Sequence, residues 1–331
     1  MFTPVHTSLG ALLLFQGSAG LLLHNGAVLG ISSLLSGAVL HPTPDNLSIM
    51  AGLVSSVVPV ALFMPALIPS YPPAPRSWLS LVSTVGTGFL LGWGTKNGRG
   101  CTSGHMLCGI SRLSPRSFIA TAVFFTTALL TANFVAGGNN IPPCAGEVPC
   151  YRPVYPASAE LVFMVATTIL ASVMNFFVVP RTLDRSQRSR MIFSYLAGLE
   201  FGTGLLFSGM ADPVKVLRFF AFLSDPSRFD PSLALIIVFG IGPSLATYLS
   251  IKPGQQTDEK AEQAKPTLAE KWKLPTATVA DIDWRFVAGA MAFGLAWGLR
   301  GVCPGPAVLR SVLQPAWGLA EMAGFMLGNV V

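Results

Sequence analysis

Cys101 and Cys303 occupy matching places in two glycine-flanked turns, Gly100-Cys101-Thr102-Ser103-Gly104 and Gly301-Val302-Cys303-Pro304-Gly305. A thiol at such a turn is small, polarisable and able to act as a nucleophile. It suits transient contact with a sulfur-containing solute, through S–H hydrogen bonding or sulfur exchange. For simple passage of an anion the protonated thiol is the better form, because a thiolate would repel it. The plainer alternative is a buried small hydrophobe. Cys108 follows Cys101 by seven residues, with His105 between them. Cys/His spacing invites a metal reading, but this cluster lacks the paired ligand knuckle. No metal and no cofactor is therefore expected, and His105 reads as a hydrogen-bonding or gating residue in a polar vestibule. Met106 and Met210 could offer soft thioether contacts, or could simply pack.

The glycines around these thiols let backbone approach a ligand closely. Broken helices are tolerated in a membrane only inside protein or along a polar cavity. Their free N-terminal amides and dipoles favour an anion. The alternative is that the glycines only permit tight helix crossings. Lys96, Arg99 and Arg300 flank the two turns, where they could attract anions at a mouth or anchor helix ends at the headgroups. Asp212 is placed to cap a helix beginning at Pro213. Glu200 lies inside an apolar run and needs a partner or a polar cavity; the other reading is a proton-coupling group.

The elements that must carry these residues are membrane helices. Of 331 residues, 51% are hydrophobic and only 11% charged, less than half the charged share of a soluble domain. The formal net charge of +6 is explained by basic cytoplasmic loops. There is no aromatic-basic interleaving to stack bases, so no nucleic-acid partner is expected. The first apolar run, about Leu9–Leu23, lacks a preceding basic region and reads as part of the bundle. It breaks at His24-Asn25-Gly26, as a tight turn or an interrupted helix, and each piece looks short for a span. Further spans are expected near residues 49–68, with kinks at Pro59 and Pro65, and near 79–93, 118–135, 161–179, 192–207, 233–251, 286–299 and 317–331. Residues 71–76 read as a rigid surface turn. Residues 181–190 hold four Arg and one Asp, the clearest cytoplasmic signal. Residues 137–156 hold five Pro and one Arg and read as an outside loop, where Cys144 and Cys150 are spaced so that pairing is permitted but not required. Residues 252–283 read as a flexible hydrophilic cytoplasmic loop.

The two halves echo each other. Each opens with an apolar run broken by a glycine turn, Asn25-Gly26 and Ser208-Gly209, and each later carries an aromatic-glycine pair before a glycine-flanked cysteine. Interrupted segments in corresponding places point to a transporter's central site. Catalysis has little support. There is no Walker-type phosphate loop, and no Ser-His-Asp or Cys-His pair is placed by sequence. The enzymatic alternative is a membrane sulfurtransferase or sulfur-relay subunit, with Cys101 accepting a sulfane sulfur.

The segment GWGTKNGRGCTSGHMLCGISRLSPRSFIAT, residues 92–121, resembles the signature of the YeeE/YedE sulfur transport family. HNGAVLGISSLLSG, residues 24–37, resembles that family's first motif. GLEFGTGLLFSGMADPVKVLRFF (198–220), DPSLA (230–234) and RGVCPGPA (300–307) resemble its recurrent companion module. The likeness covers nearly the whole chain. It implies an all-α polytopic protein of the plasma or bacterial inner membrane, with two pseudo-symmetric halves and short re-entrant or broken helices. Residues 1–180 would form the first half, 181–190 a basic cytoplasmic loop and 191–331 the second half. It also implies uptake of thiosulfate or a related sulfur anion, handed between central cysteines, here Cys101 and Cys303. The expected route comprises these two with Cys108, His105, Asn25, Gly26, Gly100, Gly104, Met210, Gly301, Pro304 and Gly305. Expected partners are the anion, the lipid bilayer and a cytoplasmic sulfur-accepting protein. Some members carry a further cysteine near the early break. Here residues 21–30 read LLLHNGAVLG, leaving the relay one thiol short unless Cys108 or another polar group substitutes.

Overall fold

A computed structural model describes residues 1–71, 77–135, 141–144, 146, 148–253 and 265–331. Residues 72–76 of the expected surface turn lie outside the described residues, as do residues 254–264 and parts of the loop before Ser158.

Among the described residues, every regular element is helical. Helix α1 (Pro4–Asn25) starts earlier than its apolar run suggested and is long enough to cross. Proline at its first position lacks the amide that would go unpaired there. α2 (Ile31–Leu40) is short. α3 (Pro44–Ser55) and α4 (Val57–Phe63) form one span interrupted at Ser56. α5 (Trp78–Asn97) leads to Cys101 and a π-helical segment, Ser103–Ile110. α6 (Pro115–Leu130) runs into π turns at Thr131–Val135. α7 (Ser158–Val173), π turns at Met174–Val178 and α8 (Val179–Thr182) make the next span.

The second half opens with α9 (Gln187–Ser208) and a short α10 (Pro213–Phe220). Residues Pro231–Ile251 form a span that ends in α11 (Gly242–Ile251). α12 (Trp284–Arg300) and α13 (Pro304–Leu313) are bent by 42° across Gly301–Cys303. α14 (Pro315–Val330) follows. Among the described residues, six helical stretches are long and apolar enough to cross a bilayer, and the protein is a polytopic membrane protein.

The helix crossings reveal how the halves are related. α1 and α9 run antiparallel: Gly10 abuts Ser208 and Gly204, and Gly20 abuts Phe193. α5 and α12 are also antiparallel, with Gly94 against Phe293 and Gly98 against Gly289. α5 runs parallel to α14 (Gly88 on Glu321, Gly92 on Phe325), and α12 runs parallel to α6 (Gly294 on Phe124, Gly298 on Ala128). The α3–α4 span lies parallel to α9, through Gly52 on Tyr195 and Gly202 on Ser56. Its counterpart, Pro231–Ile251, lies parallel to α1: Thr3 N donates to Ser232 Oγ at 2.9 Å, and Gly240 faces Ala11. Exchanging α1 with α9, α5 with α12 and α6 with α14 therefore maps each contact onto another. This is an inverted repeat, with the α7–α8 span as the connector.

Both leading helices stop in the same way. Gly26 and Gly209 adopt φ of 68° and 76°, left-handed values that a side chain disfavours. Beyond Gly26, the segment 265–273 does not behave as the free linker expected. Leu268 is fully buried, Leu268 N donates to the His24 carbonyl at 2.8 Å, and Lys273 N donates to the Gly26 carbonyl at 2.7 Å. Two leucine-poor turns of chain are held by the carbonyls that the end of α1 leaves unpaired. On the opposite face Cys144 and Cys150 form a disulfide. Cys150 N donates to the Ser227 carbonyl and Phe2 N to the Cys150 carbonyl, both at 2.7 Å, so this loop ties the start of α1 to the chain before Pro231. Asp212 caps α10 as expected, its Oδ1 accepting from Val214 N at 2.9 Å.

Two outcomes are expected. Gly92→Val drives a side chain into the Phe325 carbonyl and lowers stability by about 1–3 kcal/mol, measured as a reduced Tm in detergent. Alkylation of the unreduced, denatured protein modifies Cys101, Cys108 and Cys303, the three free cysteines, and leaves Cys144 and Cys150 untouched until reductant is added.

Candidate functional site

The chain breaks of the two halves converge. Ile31 N, at the start of α2, donates to Ser103 Oγ at 3.0 Å. Gly301 sits against the Pro213 carbonyl at the start of α10. Thr102 Oγ1 lies 3.5 Å from Cys303 Sγ and donates to it, while Cys101 Sγ lies 3.2 Å from Ser103 Oγ. The two glycine turns thus touch through Thr102, with a thiol on each side.

Both thiols open on one cavity of about 120 Å³. Cys101, Thr102, Ser103 and Met106 line it from the first turn, and Cys303, Pro304, Gly305 and Pro306 from the second. Met210 reaches it from the break after α9. The remaining wall is apolar: Leu14, Ile31, Phe201, Leu205, Leu233 and Ile236 among others. Phe125, Phe219 and Trp297 close part of it with aromatic rings, Phe125 and Phe219 having centroids 6.1 Å apart. No charged side chain lines the cavity. Lys96 Nζ instead donates to the Val330 carbonyl at 3.2 Å, and Arg300 Nη2 to Ser83 Oγ at 2.6 Å.

The helix ends supply fewer donors than the glycine pattern implied. At α13 the first and third residues are Pro304 and Pro306, which have no amide hydrogen. Gly305 is the donor left between them. The first turn is different. Thr102 precedes the π-helical segment and Ser103 and Gly104 open it, where the opening amides of a helix have no intrahelical acceptor. π turns are wide and recur at functional sites. Here the π-helical segment directs Met106 and Leu107 to the cavity while turning Cys108 away from it.

Not every residue of the expected route reaches this space. Cys101, Cys303, Met210, Pro304 and Gly305 line it. Cys108 Sγ donates to the Leu29 carbonyl at 3.2 Å and faces a second, smaller pocket with Ser18, Ser111, Arg112 and Tyr248. Gly104 stands opposite Gly30, with space for a Cβ between them. His105 is a staple under the turn: Nε2 pairs with the Gly98 carbonyl at 2.9 Å and Nδ1 with Ser117 Oγ at 3.1 Å. Gly100, with φ of 152°, lies against that ring. Gly301 packs on α10 rather than on the cavity. Asn25 and Gly26 lie at the end of α1, where Asn25 Nδ2 donates to the Arg190 carbonyl at 3.0 Å and Ser194 Oγ at 2.9 Å. Asn25 borders a separate cavity of about 580 Å³, lined by Arg185, Arg190, Lys271 and Lys273 together with Asp45 and Glu270. This cavity lies on the same face as the basic run 181–190.

In the sequence Trp297 stands out only as part of an aromatic-glycine pair. It is 3% exposed and lines the cavity, and among the described residues its Nε1 has no hydrogen-bond partner. Thr102 and Ser103 were inside the cysteine motif but not singled out. Hydroxyls flanking a thiol at a helix start were the available signal.

This architecture, an inverted pair of membrane bundles meeting at broken helices around a buried thiol-lined cavity, defines a membrane transport protein. A family model described as sulphur transport matches residues 7–130, and one described as a family of unknown function, DUF6691, matches residues 189–328. A probable transporter of Xylella fastidiosa (strain 9a5c) is 39% identical over 144 residues, which is 43% of this chain and 88% of that protein. A probable transporter of Xylella fastidiosa (strain Temecula1 / ATCC 700964) is 37% identical over 128 residues, 38% of this chain and 91% of that protein. The chain belongs to the YeeE/YedE sulphur transport family.

The staple role of His105 carries its own expectation. His105→Phe leaves the Gly98 carbonyl and the Ser117 hydroxyl unpaired, which lowers stability by about 1–3 kcal/mol. Thermal unfolding in detergent reads this directly.

Proposed function

We propose that the protein takes up thiosulfate, or a related small inorganic sulfur anion, through the cavity that Cys101 and Cys303 share. The observation that carries this reading is the presence of both thiols on one largely apolar cavity, joined by Thr102. Stripping water from a hard oxyanion is expensive where no cation compensates. A solute with a large, polarisable sulfur atom loses less on entering such a space, and its sulfur finds two S–H groups and the Met106 and Met210 thioethers. The oxyanion end is left for Thr102, Ser103, the amides of the first turn and the Trp297 N–H. In this reading the thiols act as protonated donors, and no covalent bond is needed.

The route then continues inward past Cys108. Leu107 lines the main cavity and Cys108 the second pocket, so adjacent residues face successive spaces. Cys108 rests on Leu29, in the early break where the chain has no cysteine of its own. That position supports Cys108 as the third sulfur contact, with Arg112 beside it. The cavity bordered by Asn25 would receive the anion on the cytoplasmic side and, in the same reading, present it to a sulfur-accepting protein. Inward flow of a dianion against an inside-negative potential of 100 mV costs about 4.6 kcal/mol, at roughly 2.3 kcal/mol per charge. Uptake therefore needs a steep solute gradient or a coupled cation.

Thiosulfate uptake into proteoliposomes tests the reading. A hydrogen bond to a charged group contributes about 1.5–3 kcal/mol, so Cys101→Ala and Cys303→Ala should each slow uptake roughly tenfold to a hundredfold. Trp297→Phe and Cys108→Ala should slow it severalfold. Uptake preserved in both folded Cys101→Ala and Cys303→Ala variants would end the cysteine route while leaving transport standing. Sulfur transfer to an added thiol without solute accumulation would favour the sulfurtransferase.

A further inference from the structure

Glu200 lies in α9 and is 8% exposed. Among the described residues its carboxyl oxygens are met by one side chain, Asn175, whose Nδ2 donates to them at 3.2 and 3.0 Å. No cation pairs with it. α1 brings His24 near it and His6 at the far end of that helix. The span 158–182 brings Asn175, with Glu160 and Arg181 at its two ends. α3 brings Asp45, which is bonded to Gln187 at the cytoplasmic end. α4 has no titratable group, and Arg310 of α13 pairs with Glu321 at 3.4 Å. On α9 itself Arg188 and Arg190 stand at the cytoplasmic start, and Tyr195 follows.

The polar atoms around Glu200 are short of protons. Among the described residues, Asn175 Oδ1 and Gln16 Oε1 are both buried acceptors without a partner. Gln16 Nε2 is engaged by the Thr168 carbonyl and Ser172 Oγ. Gly17, next to Gln16, packs on Ala197 and Phe201, and Gly20 packs on Asn175 and Phe193, so these groups share one crossing of α1, α9 and the 158–182 span. An ionised carboxylate only accepts, whereas a protonated carboxyl brings a donor. Buried carboxyl groups in membrane helices mark ion or proton pathways. His24 links this crossing to the cytoplasmic face. Its Nε2 lies 3.0 Å from the Asn175 carbonyl, and its Nδ1 lies 3.0 Å from Thr267 Oγ1.

We propose that Glu200 is a proton-binding site and that one proton accompanies each anion inward. The carboxylate takes a proton arriving from outside and becomes a neutral acid. It gives the proton up on the His24–Thr267 side, to the cytoplasm. Phe201 and Leu205, on the same helix, line the thiol cavity, so the charge state of Glu200 and the fit of α9 around the solute are read by one element. The coupling rests on the anion-uptake reading, where a cation moving inward offsets the electrical opposition. Proton binding at Glu200 does not.

Two measurements separate these. In proteoliposomes, an acidic exterior should raise native thiosulfate uptake severalfold over equal pH on both sides. Glu200→Gln, isosteric with the protonated acid, should keep uptake down a solute gradient and lose the response to the proton gradient. An unchanged response in Glu200→Gln overturns the coupling. Infrared difference spectra between acidic and alkaline samples need no solute. The native protein should lose a protonated-carboxyl band as pH rises, Glu200→Gln should lack that band, and Glu321→Gln should retain it. Asn175→Asp places a second acid beside Glu200 and should move the loss of the band to higher pH. If thiosulfate does not move at all, the transport reading fails, and the infrared band still decides the proton site. The same band in native and Glu200→Gln protein overturns it.

Discussion

Inside a bilayer every backbone amide and carbonyl must find a partner, and this constraint organises the whole molecule. A helix that stops within the membrane exposes several such groups. The protein stops helices at Gly26, Gly98–Gly100, Gly209 and Gly301. Three of these stops are met by another piece of chain. The residue 265–273 segment covers the end of α1, the His105 ring takes the Gly98 carbonyl, and the Thr7 hydroxyl donates to the Ser208 carbonyl at the end of α9. The long helices surround these stops and keep lipid away. The thiol cavity is the space left where the satisfied stops meet, so its chemistry follows from how the breaks were closed.

The inverted repeat explains why the stops meet in one place. Each half carries two such stops, and antiparallel packing of α1 on α9 and α5 on α12 sets equivalent helices of the two halves against each other. The repeat is not a copy. The first turn has Cys101 followed by hydroxyls and opening amides, and the second has Cys303 followed by two prolines. One side of the cavity therefore offers donors and the other mainly shape and a thiol.

Much of this was legible from residue types. Glycine and proline marked the breaks because few other residues allow them. The pairing of Cys101 with Cys303 followed from matching motifs, and the basic run 181–190 marked the end of the connector between the halves. What could not be read was depth and direction. His105 and Cys108 share a motif with Cys101, yet a π-helical repeat turns them elsewhere, and residue spacing does not announce a π turn. The 265–273 segment is hydrophilic enough to look free, but its backbone amides and the Thr267 hydroxyl tie it to α1. Gln16, Asn175 and Glu200 come from three distant segments, and Glu200 was visible only as an acid in an apolar run.

The connector between the halves has a consequence for how the chain is made. Because the α7–α8 span carries the chain back across the bilayer before α9 begins, the second half enters in the opposite sense to the first without needing its own charge bias. The arginines at 181–190 lie at the hairpin where the reversal is completed. Held on the ribosome's side, as its positive charge favours, that one short loop would set the sense of insertion for both halves together. Two halves made as separate chains would have to carry opposing signals and then find each other in the membrane. Here one loop does for biogenesis what two would otherwise have to agree upon.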